Sequence, residues 1–245
     1  ECSSFLPIDR LHKSSYTPAP AVIDIAAAAY TLTQTHSIIQ FGSENNQIFC
    51  GFANPQDYID GGIGLDTLIL SGSSASYTLD RLPTGTQMVS LMGTPALAAR
   101  SIERLHFSDM KIALDLGVAQ SAGEALLVLG TLAPAAIKAP STVGLFINYF
   151  DAGHTPRELF QIALDAGLVN SIAGSSSNEA LVSMIYRNFT GAEADKGTVD
   201  VLVGYLDGRN ASYSQVDFLT GVAGFPINQE HIGLVGLQQS GVEYL

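Results

Sequence analysis

Residues 61–69 read Gly-Gly-Ile-Gly-Leu-Asp-Thr-Leu-Ile and decide the fold of the first half of the chain. They fit the nonapeptide pattern G-G-x-G-x-D-x-U-x, where U is a large apolar residue, at every fixed position. The glycines allow positive φ and let the turn carbonyls point inward, while Leu68 enters the core of a narrow parallel roll. Asp66 adds a carboxylate to a turn that offers mainly oxygen atoms, which are the ligands that Ca²⁺ prefers.

Two weaker copies of this turn precede it. In residues 57–62 an acid, an apolar residue and a Gly-Gly pair hold the matching positions, and Asp57 lies nine residues before Asp66. Residues 46–51 repeat the spacing eleven residues earlier, with Asn46 in place of the acid and Cys50 in place of the first glycine. The unequal intervals indicate a two-residue insertion in the first turn.

Together these turns resemble a short calcium β-roll of the repeat-in-toxin (RTX) proteins. In that family alternate turns lie on the same edge and share an ion, which implies Asn46 and Asp66 on one edge and Asp57 on the other. The alternative interpretation is a pair of glycine-rich β-turns that has lost its ion. The calcium ligands implied by the resemblance are Asn46, Asp57, Asp60, Gly62, Gly64 and Asp66.

The next segment extends this resemblance. Ser71-Gly72 and Tyr77-Thr78, then residues 102–109 and Ala113-Leu114-Asp115, are similar in order and spacing to the strand-rich segment that follows RTX turns in many bacterial surface and secreted proteins. The resemblance implies a cap that closes the roll, in a family segment with no catalysis attached to it.

The second half of the chain has helical periodicity, with apolar residues at i, i+3, i+4 and i+7. The predicted boundary between the two halves lies near residues 115–122. The pattern predicts helices over residues 123–132, 156–166, 178–189 and 197–206.

An internal repeat runs through this helical half. Thr142-Val143, Tyr149 and Asp151 recur as Thr198-Val199, Tyr205 and Asp207, at an offset of 56 residues. We therefore expect two repeated units that pack into one bundle. Residues 182–188, 195–197, 205–208 and 241–245 make this half resemble a helical bacterial extracellular family of unknown function, distantly similar to phycobilisome linker domains.

These observations predict an α+β protein with an N-terminal β-rich part, which holds a short calcium β-roll, and a C-terminal helical bundle of two repeated units. We expect an extended N-terminal arm over residues 1–20, a β-rich RTX-like domain over 21–118 and a helical repeat domain over 119–245. Because the chain begins at Glu1 rather than Met, we also expect a processed or trimmed product.

Composition narrows the functional classes. Only 14% of the 245 residues are charged, and 23 acidic against 11 basic residues leave a net charge of −12. This balance argues against nucleic-acid binding and against docking on anionic lipid, both of which need basic surfaces. No apolar run reaches the length of about 18 residues that a membrane-spanning helix requires. Cys2 and Cys50 are either a disulfide candidate or two free thiols.

No catalytic motif is present: the sequence contains no G-x-S-x-G, H-E-x-x-H, P-loop or G-x-G-x-x-G pattern. The carboxylate pairs Glu103/Asp109 and Glu193/Asp195 are better interpreted as solvated turn residues than as a general acid and base. A composite copper or zinc site stays open as an alternative. The histidines that would have to form it are scattered as His12, His36, His106, His154 and His231.

The sequence therefore predicts a non-catalytic structural protein that is secreted or exposed on the bacterial cell surface. We expect calcium to stabilise it and copies of itself to be its main partners, as in an S-layer, matrix or filament subunit, because a surface with few charges can keep large faces for neighbours. The alternative is an adhesin or a module that binds cell-surface polysaccharide through exposed aromatic residues. The candidates for that role are Tyr58, Tyr149, Tyr205 and Tyr213.

Overall fold

A computed structural model describes residues 30–31, 39–51, 57–82, 84–91, 97–207 and 213–245 of this chain. Strands precede helices in these residues, which confirms the predicted α+β class. The chain divides into two compact units, Glu1–Leu114 and Asp115–Leu245. The arm predicted over residues 1–20 lies outside the described residues.

The first unit is built from short strands that lie in two sheets. The strands are β1 (Tyr30–Thr31), β2 (Ile39–Phe41), β3 (Ile48–Gly51), β4 (Tyr58–Asp60), β5 (Thr67–Leu70), β6 (Tyr77–Arg81), β7 (Gln87–Leu91), β8 (Leu97–Arg100), β9 (Arg104–His106) and β10 (Lys111–Ala113). A single 3₁₀ turn, Ser74–Ser76, precedes β6 in the described part of this unit.

Successive strands from β1 to β5 alternate between the two sheets. In the first sheet β1, β3, β5 and β9 are parallel neighbours, and in the second β2, β4 and β8 are parallel neighbours. Phe49 pairs with Leu68, and the turn residues before these strands bond across the same separation of 19 residues. Each pass through both sheets therefore takes 19 residues until β5.

An antiparallel hairpin then interrupts the parallel pattern. Strands β6 and β7 pair with each other, β7 pairs with β8, and β8 returns the chain to a parallel position beside β4. Strand β10 folds back antiparallel to β9. The hairpin places a long stretch of sequence between β5 and β9, which are neighbours in space.

The core of this unit follows the period of two that a strand imposes on its side chains. In β5, Leu68 and Leu70 are buried, whereas Thr67 and Ile69 are half-buried. Phe49 and Ile59, from strands in different sheets, belong to the same buried cluster. This apolar contact, which is the largest stabilising contribution here, holds the turns between strands in place.

The second unit consists of helices and one strand in its described part. The elements are α1 (Ser121–Leu132), α2 (Pro140–Asp151), α3 (Pro156–Asp165), α4 (Leu168–Ala173), α5 (Asn178–Thr190), α6 (Lys196–Asp207), α7 (Gln215–Ala223), α8 (Pro226–His231), α9 (Leu234–Ser240) and β11 (Val242–Tyr244), with a 3₁₀ helix at Pro134–Lys138. The predicted helices at residues 123–132, 178–189 and 197–206 fall within α1, α5 and α6.

Helix α1 is the centre of the bundle, since ten of its twelve residues are buried. It contacts α2, α5, α7 and α8, and a helix that is apolar on all sides is expected at such a position. Amphipathic α3 packs at the periphery and begins at a capping box formed by Thr155 and Glu158. Within the described residues, no helix combines the length and apolar character needed to cross a bilayer.

A candidate cation site in the stacked turns

Three turns of the first unit lie one above another, and we call them the stacked turns. They are residues 42–47 between β2 and β3, residues 61–66 between β4 and β5, and residues 101–103 between β8 and β9. They share one edge because the strands before them are parallel neighbours, as are the strands after them. Backbone hydrogen bonds join the turns directly, from Glu103 N to Asp66 O at 3.0 Å and from Ile63 N to Ser43 O at 3.0 Å.

The glycines of the nonapeptide pattern are required by this stacking. A Cβ atom on Gly61 would lie 2.1 Å from the carbonyl oxygen of Ser101 and 2.6 Å from Oδ2 of Asp66. Gly62 and Gly64 have φ values of +90° and +137°, which side chains other than hydrogen rarely allow. The turn at residues 61–66 can therefore pack this closely only with the glycines that its sequence provides.

Asp66 is the central residue of the stacked turns, and its side chain is fully buried. Its Oδ1 accepts a hydrogen bond from the backbone N–H of Gln47 at 2.9 Å. Its Oδ2 is buried and has no hydrogen-bond partner among the described residues. Burial raises the pKa of this carboxyl, the bond from Gln47 lowers it, and the charges of Glu103 and Asp60 raise it, so that the resulting pKa is about 7.

Two further carboxylates are held close to Asp66. Oε2 of Glu103 accepts a hydrogen bond from the backbone N–H of Asp66 at 2.8 Å. Asp60 accepts from the N–H of Gly62 at 3.2 Å and from the hydroxyl of Tyr58 at 3.3 Å. These bonds hold the carboxylates of Glu103 and Asp60 beside that of Asp66. The negative charges of the three groups repel one another, which raises the pKa of Asp66.

The other predicted ligands have separate positions. Oδ1 of Asn46 accepts a hydrogen bond from the N–H of Leu65 at 2.9 Å, so Asn46 lies in the turn next to that of Asp66. Gln47, rather than Asn46, is level with Asp66, since Ile48 pairs with Thr67 one position further on. Asp57 is buried immediately before β4, whereas Asp60 ends that strand, so the two acids lie at opposite ends of it.

The disulfide candidate falls outside what the structure describes. Cys2 lies in the undescribed N-terminal residues, and Cys50 contributes its backbone to β3 while its side chain is not described. The pairing of Cys2 with Cys50 therefore stays a prediction.

Sequence reasoning missed Glu103 as a member of this site. Its distance along the chain from Asp66 is 37 residues, and the hairpin of β6 and β7 accounts for most of that separation. Glu103 lies in the segment predicted to cap the roll. The presence of an acid in that segment was the only sequence feature that could have indicated a residue of this site. Asp109, the residue paired with it in the acid–base interpretation, instead accepts bonds from Ser73 Oγ at 2.6 Å and Ser74 N at 2.8 Å.

The histidines have different surroundings from these carboxylates. His106 is half-buried, and burial together with the charges of Lys111 and Arg104 lowers its pKa to about 4. His154 stacks on the ring of Tyr149, with the ring centroids 4.3 Å apart. Among the described side chains, no group of three or more His, Cys, Asp or Glu is arranged to hold a metal ion. His12 and His36 lie outside the described residues.

The stacked turns bring oxygen atoms close to Asp66, and oxygen is the ligand that hard cations prefer. In the contacts above, Asp66 is bonded to the backbone N–H of Gln47 and to a carboxylate oxygen of Glu103. A cation would supply the partner that Oδ2 of Asp66 lacks and would offset the repulsion among Asp60, Asp66 and Glu103. Ca²⁺ takes six to eight oxygen ligands, so backbone carbonyls of the turns would have to complete the set.

No protein-family model, curated protein or solved structure matches this chain. A cation at the stacked turns is therefore inferred from the geometry of the turn residues alone.

Proposed function

We propose that this chain is a non-catalytic structural protein of the cell exterior whose strand-rich unit is a calcium-stabilised roll of the RTX kind. The observation that carries the proposal is the buried Oδ2 of Asp66, which has no hydrogen-bond donor among the described residues. A buried carboxylate without a partner is costly, and proteins retain such groups where a ligand satisfies them.

The electrostatics of the stacked turns support a cation in preference to a proton. A pKa of about 7 means that Asp66 is partly ionised at neutral pH, where Asp60 and Glu103 oppose its charge. A divalent cation removes this opposition, since opposite charge favours the ionised form of all three groups. Asp66 would bind the ion, with Asp60, Asn46 and the carbonyls of Gly62 and Gly64 as the further ligands that the RTX resemblance implies. Glu103 would add negative charge beside it.

A non-catalytic role agrees with the partners of the acids once considered as an acid–base pair. Glu193 forms an ion pair with Arg187 at 3.1 Å. Asp195 accepts bonds from the N–H and the hydroxyl of Thr198 at the start of α6, and these bonds lower its pKa. Asp195 thus stabilises the start of α6, and Glu193 pairs with an exposed arginine near the end of α5. Both are structural uses of charge.

Self-assembly is supported by apolar side chains that project from the helical unit. Leu145 in α2, Val201 in α6 and Val235 in α9 are 65–70% exposed. In a chain with only 14% charged residues, such positions favour contact with other copies over full solvation. We propose that these copies form an S-layer, matrix or filament.

The proposal includes duplication of the helical unit. Helices α2 and α6 both contain twelve residues, and each ends at an Asp. Val143 and Val199, which follow a Thr at the same position in the two helices, are both buried. These shared features support two repeated units of common origin.

A second candidate function is binding to cell-surface polysaccharide. Two of the predicted aromatic residues, Tyr205 and Tyr213, form an edge-to-face pair with ring centroids 6.4 Å apart. Both side chains are about half exposed. A solvent-exposed tyrosine pair of this kind is typical of recognition surfaces, because each side chain offers both apolar area and a hydroxyl group.

The calcium proposal is tested by thermal unfolding of the full chain in calcium and in EDTA. At a calcium concentration of about 100 times Kd, binding to the folded state adds about 2.7 kcal/mol, so Tm should rise by about 5 °C or more. Asp66→Asn should abolish this rise. Asp80→Asn, an exposed position in β6 of the same unit, should keep it.

An equal Tm in calcium and EDTA for the unmodified chain would refute the calcium site. A rise that survives Asp66→Asn would place the ion elsewhere. Sedimentation velocity with and without calcium tests assembly separately, and a monomer under both conditions at high concentration would refute it.

A further inference from the structure

A polar recess of about 300 Å³ lies inside the helical unit, where α3, α4 and the start of α7 meet. Two apolar side chains, Leu164 and Val216, form part of its wall. Its polar lining consists of Gln161, Asp165, Asn170, Ser176, Ser214 and Gln215. We call this cavity the polar recess.

Hydrogen bonds hold two of the lining carboxamides in place. Nε2 of Gln161 donates to Oδ1 of Asp165 at 2.9 Å. Nε2 of Gln215 donates to Oδ1 of Asn178 at 2.7 Å, and Asn178 in turn donates to Asp207 at the end of α6. The amide nitrogens of the two glutamines thus donate to protein groups, which leaves the carbonyl oxygens of these two lining residues as acceptors for a ligand.

Asn170 differs from these two residues because its side chain makes no hydrogen bond with the described part of the chain. It lies in α4, half-buried, and lines the recess directly. A carboxamide has two donors and an acceptor, and a half-buried one gains most from a polar ligand that pairs with it.

The lining defines the chemistry of the ligand. Carboxamides, hydroxyls and one carboxylate offer both donors and acceptors, which suits a molecule with several hydroxyl groups. Among the described residues that line the recess there is no Lys, Arg or His, and Asp165 adds negative charge. An anionic ligand would therefore be repelled. The volume is at the lower end of the range for ligand pockets, so the ligand is small.

An exposed aromatic pair adjoins this recess in the sequence. Tyr213 directly precedes Ser214, and its ring forms an edge-to-face pair with that of Tyr205 near the end of α6. The bonds from Gln215 through Asn178 to Asp207 connect the recess to this helix end. Both rings are about half exposed and therefore offer apolar area to a ligand.

We propose that the polar recess binds one neutral hexopyranose unit of a polysaccharide, with Asn170, Asp165 and the carbonyl oxygens of Gln161 and Gln215 contacting its hydroxyls. This site deepens the second candidate function, polysaccharide binding, and rests on it. It does not depend on calcium at the stacked turns, which belong to the other unit.

The test is an amide NMR titration of the full chain with D-glucose, D-galactose, D-mannose and N-acetylglucosamine, each added separately. We expect at least one of them to shift resonances of residues 161–176 and 214–216 with a Kd of about 1–10 mM. Asn170→Ala should weaken this binding about tenfold, the effect of losing one good hydrogen bond. Gln239→Ala, at an exposed position in α9, should leave it unchanged.

Asp165→Asn provides a second variant in case Asn170→Ala fails to fold. It should weaken neutral-sugar binding by a few-fold, because an acceptor-only carboxylate becomes an amide, and should weaken exclusion of N-acetylneuraminic acid. The proposal is overturned if none of the four neutral sugars shifts these resonances, if N-acetylneuraminic acid binds the unmodified chain equally well, or if both variants bind as the unmodified chain does.

The outcome separates the recess from the broader function. Cosedimentation with an insoluble neutral polysaccharide that persists in Asn170→Ala would overturn the recess as the site while supporting polysaccharide binding elsewhere. If the unmodified chain neither cosediments with the polysaccharide nor shows resonance shifts with monosaccharides, both the recess and polysaccharide binding are overturned.

Discussion

Asp66 in the strand-rich unit and Asn228 in the helical unit each bury a side-chain oxygen that lacks a hydrogen-bond donor among the described residues, Oδ2 of Asp66 and Oδ1 of Asn228. The two oxygens differ in charge, because one belongs to a carboxyl group and the other to an amide. Both side chains are fully buried. This difference is the reason why we propose a ligand site in the first unit, whereas Asn228 makes a structural contact in the second.

Asn228 is neutral, and its amide nitrogen is already hydrogen-bonded. Its Nδ2 donates to the carbonyls of Ala223 at 2.7 Å and Leu127 at 3.0 Å, which ties α8 to α7 and α1. Asp66 is an acid that accepts one bond and lies beside two further carboxylates. An unsatisfied amide oxygen costs far less than an unpaired buried charge, so we propose a cation beside Asp66 and none beside Asn228.

The largest expected effect comes from adding a methyl group to the stacked turns. Gly61→Ala should destabilise the strand-rich unit by about 3 kcal/mol, because the new Cβ meets the backbone oxygen of Ser101 at 2.1 Å. Urea unfolding followed by circular dichroism measures the loss. Gly204→Ala in α6 is the matched control, since nothing lies within 4 Å of its Cβ, and it should stabilise by about 0.5–1 kcal/mol. Equal effects of the two substitutions would contradict the close packing of the turns.

Removing the neutral buried amide should have the next largest effect. Asn228→Ala should lower the free energy of unfolding by about 2 kcal/mol, because it leaves the carbonyls of Leu127 and Ala223 without their donor and opens a cavity. Its stability should not respond to calcium differently from that of the unmodified chain. A calcium response lost in Asn228→Ala would break the distinction between the two units.

Asp66→Asn should have the opposite sign. In EDTA at neutral pH we expect it to raise the free energy of unfolding by about 1 kcal/mol, because it removes a buried charge that Asp60 and Glu103 repel. The bond from Gln47 can be kept by the amide oxygen. Urea midpoints in EDTA measure the change, and a clear loss of stability would show that the charge of Asp66 is satisfied without an ion.

The pH profile in EDTA sharpens the same comparison. The pKa of Asp66 is about 7 in the folded chain, against an ordinary value of 3.8 for the unfolded chain. Between these two pH values the folded chain binds more protons than the unfolded chain does. The contribution of Asp66 to the free energy of unfolding therefore falls as pH rises. His106 acts oppositely: its pKa is about 4 when folded against 6.5, so its contribution rises with pH in that window. Urea midpoints of Asp66→Asn should therefore increase from pH 4 to 6.5, whereas the unmodified chain should show a flatter or falling profile.

The smallest effect is expected at an exposed cap of the helical unit. Thr155→Ala removes the hydroxyl that accepts the N–H of Glu158 at the start of α3 and should cost about 1 kcal/mol. Thr84→Ala, an exposed position beside β7 in the other unit, should change stability by less than about 0.5 kcal/mol. The two urea midpoints should differ, and coincidence would show that the cap adds nothing to the bundle.

Local rules explain which features could be predicted. The α+β class and the helices around α1, α5 and α6 were visible because strand and helix periods repeat over neighbouring residues. The turn at residues 61–66 was visible because its glycines and Asp66 are adjacent in sequence. The position of Gln47 opposite Asp66 was not, since a strand register depends on hydrogen bonds to a segment 19 residues away.

The sequence by itself determined the chemistry of this protein: the glycines that allow tight turns, the acid at residue 66 and the low charge of the whole chain. Only the tertiary structure decided which groups meet. The hairpin of β6 and β7 brings β9 beside β5 and thereby places Glu103 on the N–H of Asp66, across 37 residues. Periodicity and turn rules act over a few residues, whereas burial and charge repulsion at Asp66 depend on the packed whole.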